Sequence, residues 1–279
     1  MDGDFVSTDW LADNLGADDL AVVDCTAFLP TTPRDARAEF LAGHIPGARF
    51  LDIAEVSDKT HSAPHMLPSA AQFGAAMEQL GVGKDDRIVI YDNSPLRTAA
   101  RGWFMLRHFG ARQVAVLDGG MGKWLAEGRP IESGDAKPRP GRSFAAEERS
   151  GEVVSKADLL AGTDLEIVDA RSEARFTGSE PDPRATVAPG HIPGSRCLPM
   201  SALYREDGTF REAEDIRALF ARAGVDPSRP FIATCGSGVT ANSLLLAARR
   251  VGGADGKLYD GSWSEWGADP ATPKAVGPA

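Results

Sequence analysis

Short apolar runs alternate with longer amphipathic stretches along the whole chain. The apolar runs are typical of buried strands, and they lie at 21–23, 88–90, 167–168 and 231–233. The amphipathic stretches have the length of helices, and they lie at 70–80, 97–109, 216–223 and 243–251. This alternation predicts parallel strands with helices on both faces of each sheet, which is an α/β fold.

The same pattern occurs twice in the same order. The matching pairs are 21–24 with 166–169, 43–48 with 190–195, 88–92 with 231–235, and 117–120 with 259–262. Such a repeat predicts two homologous domains, each of ordinary domain size. A segment without apolar periodicity, rich in proline, glycine and charge, separates them. We therefore assign 1–131 to a first domain, 132–150 to a linker and 151–279 to a second domain.

Two aromatic residue types recur at equivalent places in the halves. His44 and His191 each precede Ile-Pro-Gly, and Trp124 and Trp266 each follow an Asp-Gly motif. Since both halves carry them, we interpret the histidines as fixing turns by local hydrogen bonds and the tryptophans as closing the cores. None of the four is a candidate site residue.

The segment with the clearest chemistry is the loop at 235–240, Cys-Gly-Ser-Gly-Val-Thr. It lies between a predicted strand and a predicted helix, at the strand end where ligands bind in α/β sheets. Unpaired N–H groups and the helix dipole favour an anion there, and therefore the thiolate of Cys235. A cysteine that only packs would not need Gly236 and Gly238 beside it. The first half has Asp92 at the matching position, so we assign the chemistry to the second domain.

Bulk composition narrows the class of protein. The net charge of −10 argues against nucleic acid or an anionic membrane as the main partner. Three cysteines without CxxC spacing, with no histidines clustered around them, predict no metal site and no disulfide framework. Cys25 and Cys197 are best interpreted as packing residues, with a redox role left open. The acidic N-terminus lacks a long apolar run, so we predict no secretory signal, no membrane span and a cytoplasmic location.

Two reactions of cysteine nucleophiles fit the loop poorly. A phosphatase needs an arginine six residues after the cysteine to hold phosphate, but that position is Ala241 and no arginine occurs before Arg249. A papain-like hydrolase needs a histidine base, and His65 has no second strong signature beside it. A small loop without arginine suits a cysteine that carries something compact, such as an extra sulfur atom.

The tandem layout, the two His-Ile-Pro-Gly motifs, the Asp-Gly motifs before Trp124 and Trp266, and the loop at 235–240 together resemble the two-domain rhodanese-type sulfurtransferases. The resemblance covers nearly the whole chain and implies two tandem rhodanese-like domains. Within the family, the loop resembles that of members that use 3-mercaptopyruvate. Members that prefer thiosulfate usually have basic residues where this chain has Gly236 and Ser237.

The resemblance implies that Cys235 takes sulfur from the donor as a persulfide and passes it to a thiol such as thioredoxin or a small dithiol, or to cyanide. No cofactor is implied. The implied catalytic residues are Cys235 and Ser237, and the implied substrate-binding residues are Arg175, Arg184, Gly236, Gly238, Val239, Thr240 and His65. The loop N–H groups would hold the persulfide charge as an oxyanion hole does, and the two arginines would bind the donor carboxylate.

In some relatives a histidine matching His65 is proposed to join a serine, matching Ser237, and an acidic residue in a proton relay. This chain has Ala54 at the acidic position, which leaves the relay open. Two other functions also stay open, a thiosulfate sulfurtransferase and a carrier that accepts persulfide sulfur without turning over a small donor. The paired arginines favour an enzyme that uses 3-mercaptopyruvate, because a carrier needs no group to bind a carboxylate.

Overall fold

The computed structural model describes residue 1 and residues 3–137 and 139–278. The chain divides into two compact units. Unit 1 contains Met1–Ser57, Pro68–Arg149 and Glu206–Phe210, and unit 2 contains Asp58–Leu67, Ser150–Arg205 and Arg211–Ala279. Each unit therefore includes a short segment from the sequence range that otherwise forms the other. The boundaries derived from the sequence pattern stay a prediction.

Unit 1 is built on a five-stranded parallel sheet in the order β1-β5-β4-β2-β3. Its strands are β1 Phe5–Val6, β2 Leu20–Asp24, β3 Arg49–Phe50, β4 Arg87–Tyr91 and β5 Gln113–Leu117. Its helices are α1 Thr8–Asn14, α2 Ala36–Ala42, α3 Ile53–Val56, α4 Ala70–Leu80, α5 Ala99–His108 and α6 Gly120–Ala126. The central strands are buried along nearly their whole length, as parallel strands covered on both faces must be.

Unit 2 repeats this topology, with a five-stranded parallel sheet in the order β6-β10-β9-β7-β8. Its strands are β6 Val153–Val154, β7 Ile167–Asp169, β8 Arg196–Cys197, β9 Ile232–Thr234 and β10 Lys257–Tyr259. Its helices are α7 Lys156–Ala161, α8 Glu173–Thr177, a 3₁₀ helix Met200–Leu203, α9 Ala213–Arg222, α10 Asn242–Arg250 and α11 Ser262–Trp266. The predicted α/β class and the predicted duplication are both confirmed.

The repeated histidines make the same local contacts in each unit. His44 Nδ1 lies 2.8 Å from the carbonyl oxygen of Phe40, and the two rings stack with centroids 4.0 Å apart. His191 Nδ1 lies 2.9 Å from the carbonyl oxygen of Phe176, with ring centroids 3.8 Å apart. Each histidine thus ties its turn to the preceding helix, as a structural role requires.

The repeated tryptophans are buried, and each donates a hydrogen bond to a backbone carbonyl a few residues further along the chain. Trp124 Nε1 donates to the carbonyl oxygen of Pro130 at 2.8 Å, and Trp266 Nε1 donates to that of Pro273 at 2.7 Å. Each indole therefore buries its apolar body in a core cluster while its N–H group keeps a hydrogen-bond partner.

Within the described residues, no helix has both the length and the apolar character needed to cross a membrane.

Candidate active site

Cys235 lies directly after the central strand β9, and α10 begins at Asn242. The strand is hydrogen-bonded to β10 on one side and β7 on the other. Cys235 therefore lies at the carboxyl edge of the sheet, where α/β folds bind ligands. Its side chain is almost completely buried, with the residue 1 % exposed. The strand, loop and helix predicted around the cysteine are all present.

The first turn of α11 holds the backbone of the cysteine loop. The N–H of Trp263 donates to the carbonyl oxygen of Cys235 at 2.9 Å, and the N–H of Ser264 donates to that of Gly236 at 2.9 Å. The Ser264 hydroxyl also donates to the Gly236 carbonyl. These bonds direct two loop carbonyls toward α11, so that their oxygens are occupied.

Several N–H groups of the same loop, unlike these two carbonyl groups, remain available to a ligand. Within the part of the chain that the structure describes, the N–H groups of Gly236, Ser237, Val239 and Thr240 donate no hydrogen bond to another protein group. Successive N–H groups of this kind at the start of a helix form a concavity suited to an anion. The loop can therefore stabilise a negative charge on a sulfur atom beyond Cys235.

Ser262, the first residue of α11, contacts the cysteine directly. Its Oγ accepts the N–H of Cys235 at 3.1 Å and lies 3.9 Å from the Cys235 Sγ. The same hydroxyl donates to the carbonyl oxygen of Tyr259 at 2.9 Å. Ser262 has a φ of +50°, a left-handed conformation that costs free energy in a residue other than glycine. Sequence reasoning missed Ser262, although it belongs to the repeated Asp-Gly motif.

Gly238 is the loop position that requires glycine. Its φ is +74°, and a Cβ there would lie 2.4 Å from the carbonyl oxygen of Asp260 and 2.6 Å from its Oδ1. Asn242 Nδ2 donates to the carbonyl oxygens of Gly238 and Val239 at 2.7 and 2.8 Å. The loop is therefore held from both ends, by the buried Asp260 and by the first residue of α10.

The two arginines implied by the resemblance converge on one carboxylate. Arg184 Nε and Nη2 donate to Oδ1 and Oδ2 of Asp182 at 2.8 and 3.0 Å. Arg175 Nη2 donates to the same Oδ2. Burial raises the pKa of Asp182, but hydrogen bonds and the charge of Arg184, with that of Arg175, outweigh it and hold the pKa at about 2. Asp182 is another site residue that sequence reasoning missed.

Both guanidinium groups lie beside the cysteine loop. A Cβ built on Gly236 would lie 3.8 Å from Arg175 Nη2 and 4.0 Å from Arg184 Nη2. Arg184 Nη2 also donates to the Gly236 carbonyl at 3.3 Å, and its Nη1 donates to Ser264. The structure thus brings Arg175 and Arg184 together next to the residue that follows Cys235.

His65 lies in the segment Asp58–Leu67, which belongs to unit 2. Its φ of +62° is a left-handed conformation for a residue other than glycine. Two residues further on, the Leu67 N–H donates to Asp260 Oδ2 at 2.6 Å, and Asp260 is the residue against which Gly238 packs. This connection ties the backbone near His65 to the cysteine loop, while the substrate-binding role of His65 stays a prediction.

Asp92, at the position matching Cys235, has a structural environment in unit 1. Its Oδ1 accepts the N–H of Ser94 at 2.8 Å and its Oδ2 accepts that of Ala99 at 2.7 Å. Burial raises the pKa of this carboxyl group. The side chain caps the turn after β4, as expected of a polar strand end.

The other two thiols are held in their neutral form. Burial raises the pKa of Cys25 well above its usual range, with the charges of Asp92 and Asp24 adding to the effect. Burial also raises the pKa of Cys197 to about 12. Because the thiolate is the nucleophile, both environments fit the packing role predicted for these cysteines.

Comparisons with known proteins agree with this architecture. The model of the rhodanese-like domain matches residues 7–127 and 155–269. The chain is 42 % identical over 270 residues to the 3-mercaptopyruvate sulfurtransferase of Homo sapiens, covering 94 % of this chain and 91 % of the relative. It is 41 % identical over 270 residues to the thiosulfate sulfurtransferase of Rattus norvegicus, with the same coverages.

The solved structure of SseA from Escherichia coli superposes with a TM-score of 0.84 at 38 % identity, covering 94 % of this chain and 99 % of SseA. Agreement in sequence and in fold over nearly the full length confirms the resemblance inferred from the motifs. The chain belongs to the rhodanese-like sulfurtransferase family and carries two copies of its domain.

Proposed function

We propose that this protein transfers sulfur from 3-mercaptopyruvate to a thiol acceptor or to cyanide through a persulfide at Cys235, releasing pyruvate. The observation that carries the proposal is the position of two arginines beside Gly236, next to the nucleophile. Guanidinium groups are well suited to bind the carboxylate of 3-mercaptopyruvate. The same activity is named for the human relative.

In the first step, the Cys235 thiolate attacks the sulfur atom of the donor. The carbon–sulfur bond of the donor breaks, its electron pair stays on carbon, and that carbon takes the proton of the donor thiol. The products are pyruvate and a Cys235 persulfide anion. The N–H groups of Gly236, Ser237, Val239 and Thr240 support the outer sulfur, in the manner of an oxyanion hole.

In the second step, an acceptor thiolate attacks the outer sulfur. The sulfur–sulfur bond breaks and its electron pair returns to Cys235 as a thiolate. We propose thioredoxin or a small dithiol as the acceptor, because a second thiol can then expel the sulfur as hydrogen sulfide while a disulfide forms. Ser237 follows the nucleophile by two residues, and we assign it a hydrogen bond to the leaving group or the persulfide.

His65 is proposed as a substrate-binding residue in the same site. The link from Leu67 to Asp260 supports this position for the segment. With Ala54 at the acidic position of the relay, His65 would act without a carboxylate partner there. A cytoplasmic location is also proposed, because the three free cysteines suit a reducing compartment, and one of the plant relatives is named as mitochondrial.

Two other functions have to be separated from this one. A thiosulfate sulfurtransferase is supported by the rat relative, but Gly236 and Ser237 provide no side-chain cations for a sulfonate group. A persulfide carrier that does not turn over a small donor has no need of the site formed by Arg175 and Arg184. Comparison of 3-mercaptopyruvate with thiosulfate, with cyanide as the acceptor, distinguishes the two enzymes.

The decisive experiment is intact mass spectrometry after incubation with 3-mercaptopyruvate. We expect a gain of one sulfur atom in the wild-type protein and none in Cys235→Ser. Pyruvate should appear in the same amount as the added sulfur. A wild-type protein that gains no sulfur, or a Cys235→Ser variant that still gains it, would contradict the proposal.

A further inference from the structure

The charge balance of the arginine site depends on one residue. The Asp182 side chain is 2 % exposed, whereas those of Arg175 and Arg184 are 24 % and 32 % exposed. Asp182 therefore lies behind the two guanidinium groups, and they remain open to a ligand. Since its pKa is held at about 2, its carboxylate stays ionised throughout the neutral range. The two guanidinium groups and the carboxylate of Asp182 together carry a single net positive charge.

Asp182 also determines which N–H groups remain for a ligand. It accepts both the Nε and the Nη2 of Arg184, and the Nη2 of Arg175. Within the described residues, Arg175 Nη1 has no protein acceptor, and it would lie 3.9 Å from a Cβ at Gly236. A ligand bound beside the cysteine loop therefore meets the open edge of Arg175, oriented by Asp182.

We infer that Asp182 is a specificity-determining positioning residue, which weakens the binding of a donor with two negative charges more than that of a donor with one. This inference rests on the proposed function, because it takes the arginines as the donor site. 3-Mercaptopyruvate carries one carboxylate, whereas thiosulfate is a dianion. Coulomb energy is proportional to the charge, so the attraction to the arginines and the repulsion from Asp182 both double for the dianion. Removing the charge of Asp182 therefore stabilises bound thiosulfate about twice as much as bound 3-mercaptopyruvate.

The test is the ratio of kcat/KM for thiosulfate to kcat/KM for 3-mercaptopyruvate, with cyanide as the acceptor. Asp182→Asn removes the charge and keeps the shape, and we expect this ratio to rise by about 10-fold or more. Asp182→Glu keeps the charge, and its ratio should stay within about two-fold of wild type. Asp255→Asn is the matched control, because it removes an exposed carboxylate paired with Arg249, and we expect no change.

A purely structural role for Asp182 predicts a different result. The Asn variant would then lose activity by the same factor with both donors, and an unchanged ratio overturns the inference. If the Asn variant does not fold, the Asp182→Glu variant provides the test. This variant keeps the charge, so a change of more than about two-fold in the kcat/KM ratio of the two donors would contradict the charge argument. A wild-type protein that gains no sulfur from 3-mercaptopyruvate refutes the proposed function instead, so the two failures are distinguishable.

Discussion

The hydroxyl of Ser262 accepts the backbone N–H of Cys235 at 3.1 Å and lies 3.9 Å from its sulfur. One side chain on α11 therefore sets both the direction of the peptide group at Cys235 and the polarity beside its thiol. The left-handed conformation of Ser262 is the cost of placing that hydroxyl there. Backbone strain of this kind is typical of functional sites.

Replacing Ser262 with alanine should lower both stability and activity. The buried N–H of Cys235 loses its acceptor, which should reduce the free energy of unfolding by about 1–3 kcal/mol. Ser262→Gly removes the same hydroxyl but relieves the positive φ, so we expect it to be more stable than Ser262→Ala. Denaturant unfolding and the rate of persulfide formation measure the two effects. An alanine variant with wild-type stability and rate contradicts the assigned contact.

Replacing Gly238 with alanine should disrupt the cysteine loop. The new Cβ would clash with the backbone and side chain of Asp260. Gly252→Ala is the matched control, since Gly252 has a φ of +72° and no atom within 4 Å of a built Cβ. We expect Gly238→Ala to be destabilised by at least about 2 kcal/mol more than this control. Thermal or denaturant unfolding of both variants gives the difference, and equal values would refute the close approach of Asp260.

Removing either arginine should weaken use of the donor more than it weakens folding. Charge-assisted hydrogen bonds contribute enough that Arg175→Ala and Arg184→Ala should each reduce kcat/KM for 3-mercaptopyruvate by about 10- to 100-fold. Arg249→Ala is the control, because Arg249 has similar exposure, 30 % against 32 % for Arg184. Steady-state kinetics decide the point, and wild-type kcat/KM in both site variants would remove the arginines from the site.

The ion pairs of Asp182 should make part of the stability depend on pH. The folded-state pKa of about 2 lies below the value of about 4 for an unfolded aspartate. The carboxylate therefore stabilises the fold above pH ~4, and this contribution is lost as the pH falls towards 2. We expect the stability difference between wild type and Asp182→Asn to shrink over that interval in unfolding experiments. A difference that is constant from pH 5 to pH 2 contradicts the depressed pKa.

The local pattern of the chain determined the class of fold and predicted Cys235 as the nucleophile. The apolar run before Cys235, the glycines after it and the helix beyond are neighbours in sequence, so their geometry follows from local preferences. The duplication was readable for the same reason, because each half repeats the same short motifs in the same order. The difference between Asp92 and Cys235 then assigned the chemistry to one half.

Contacts distant in sequence were decided only by the tertiary structure. Ser262 contacts Cys235 because the strands that precede them, β10 and β9, are adjacent in the sheet. The local periodicity of the sequence does not predict which strands are adjacent. The segment containing His65 joins unit 2 although it precedes most of unit 1. Asp182 lies only two residues from Arg184, but its burial between two guanidinium groups depends on the packing of its loop beside Gly236. Sequence alone thus predicted the reactive atom, whereas tertiary packing determined the charge and geometry around it.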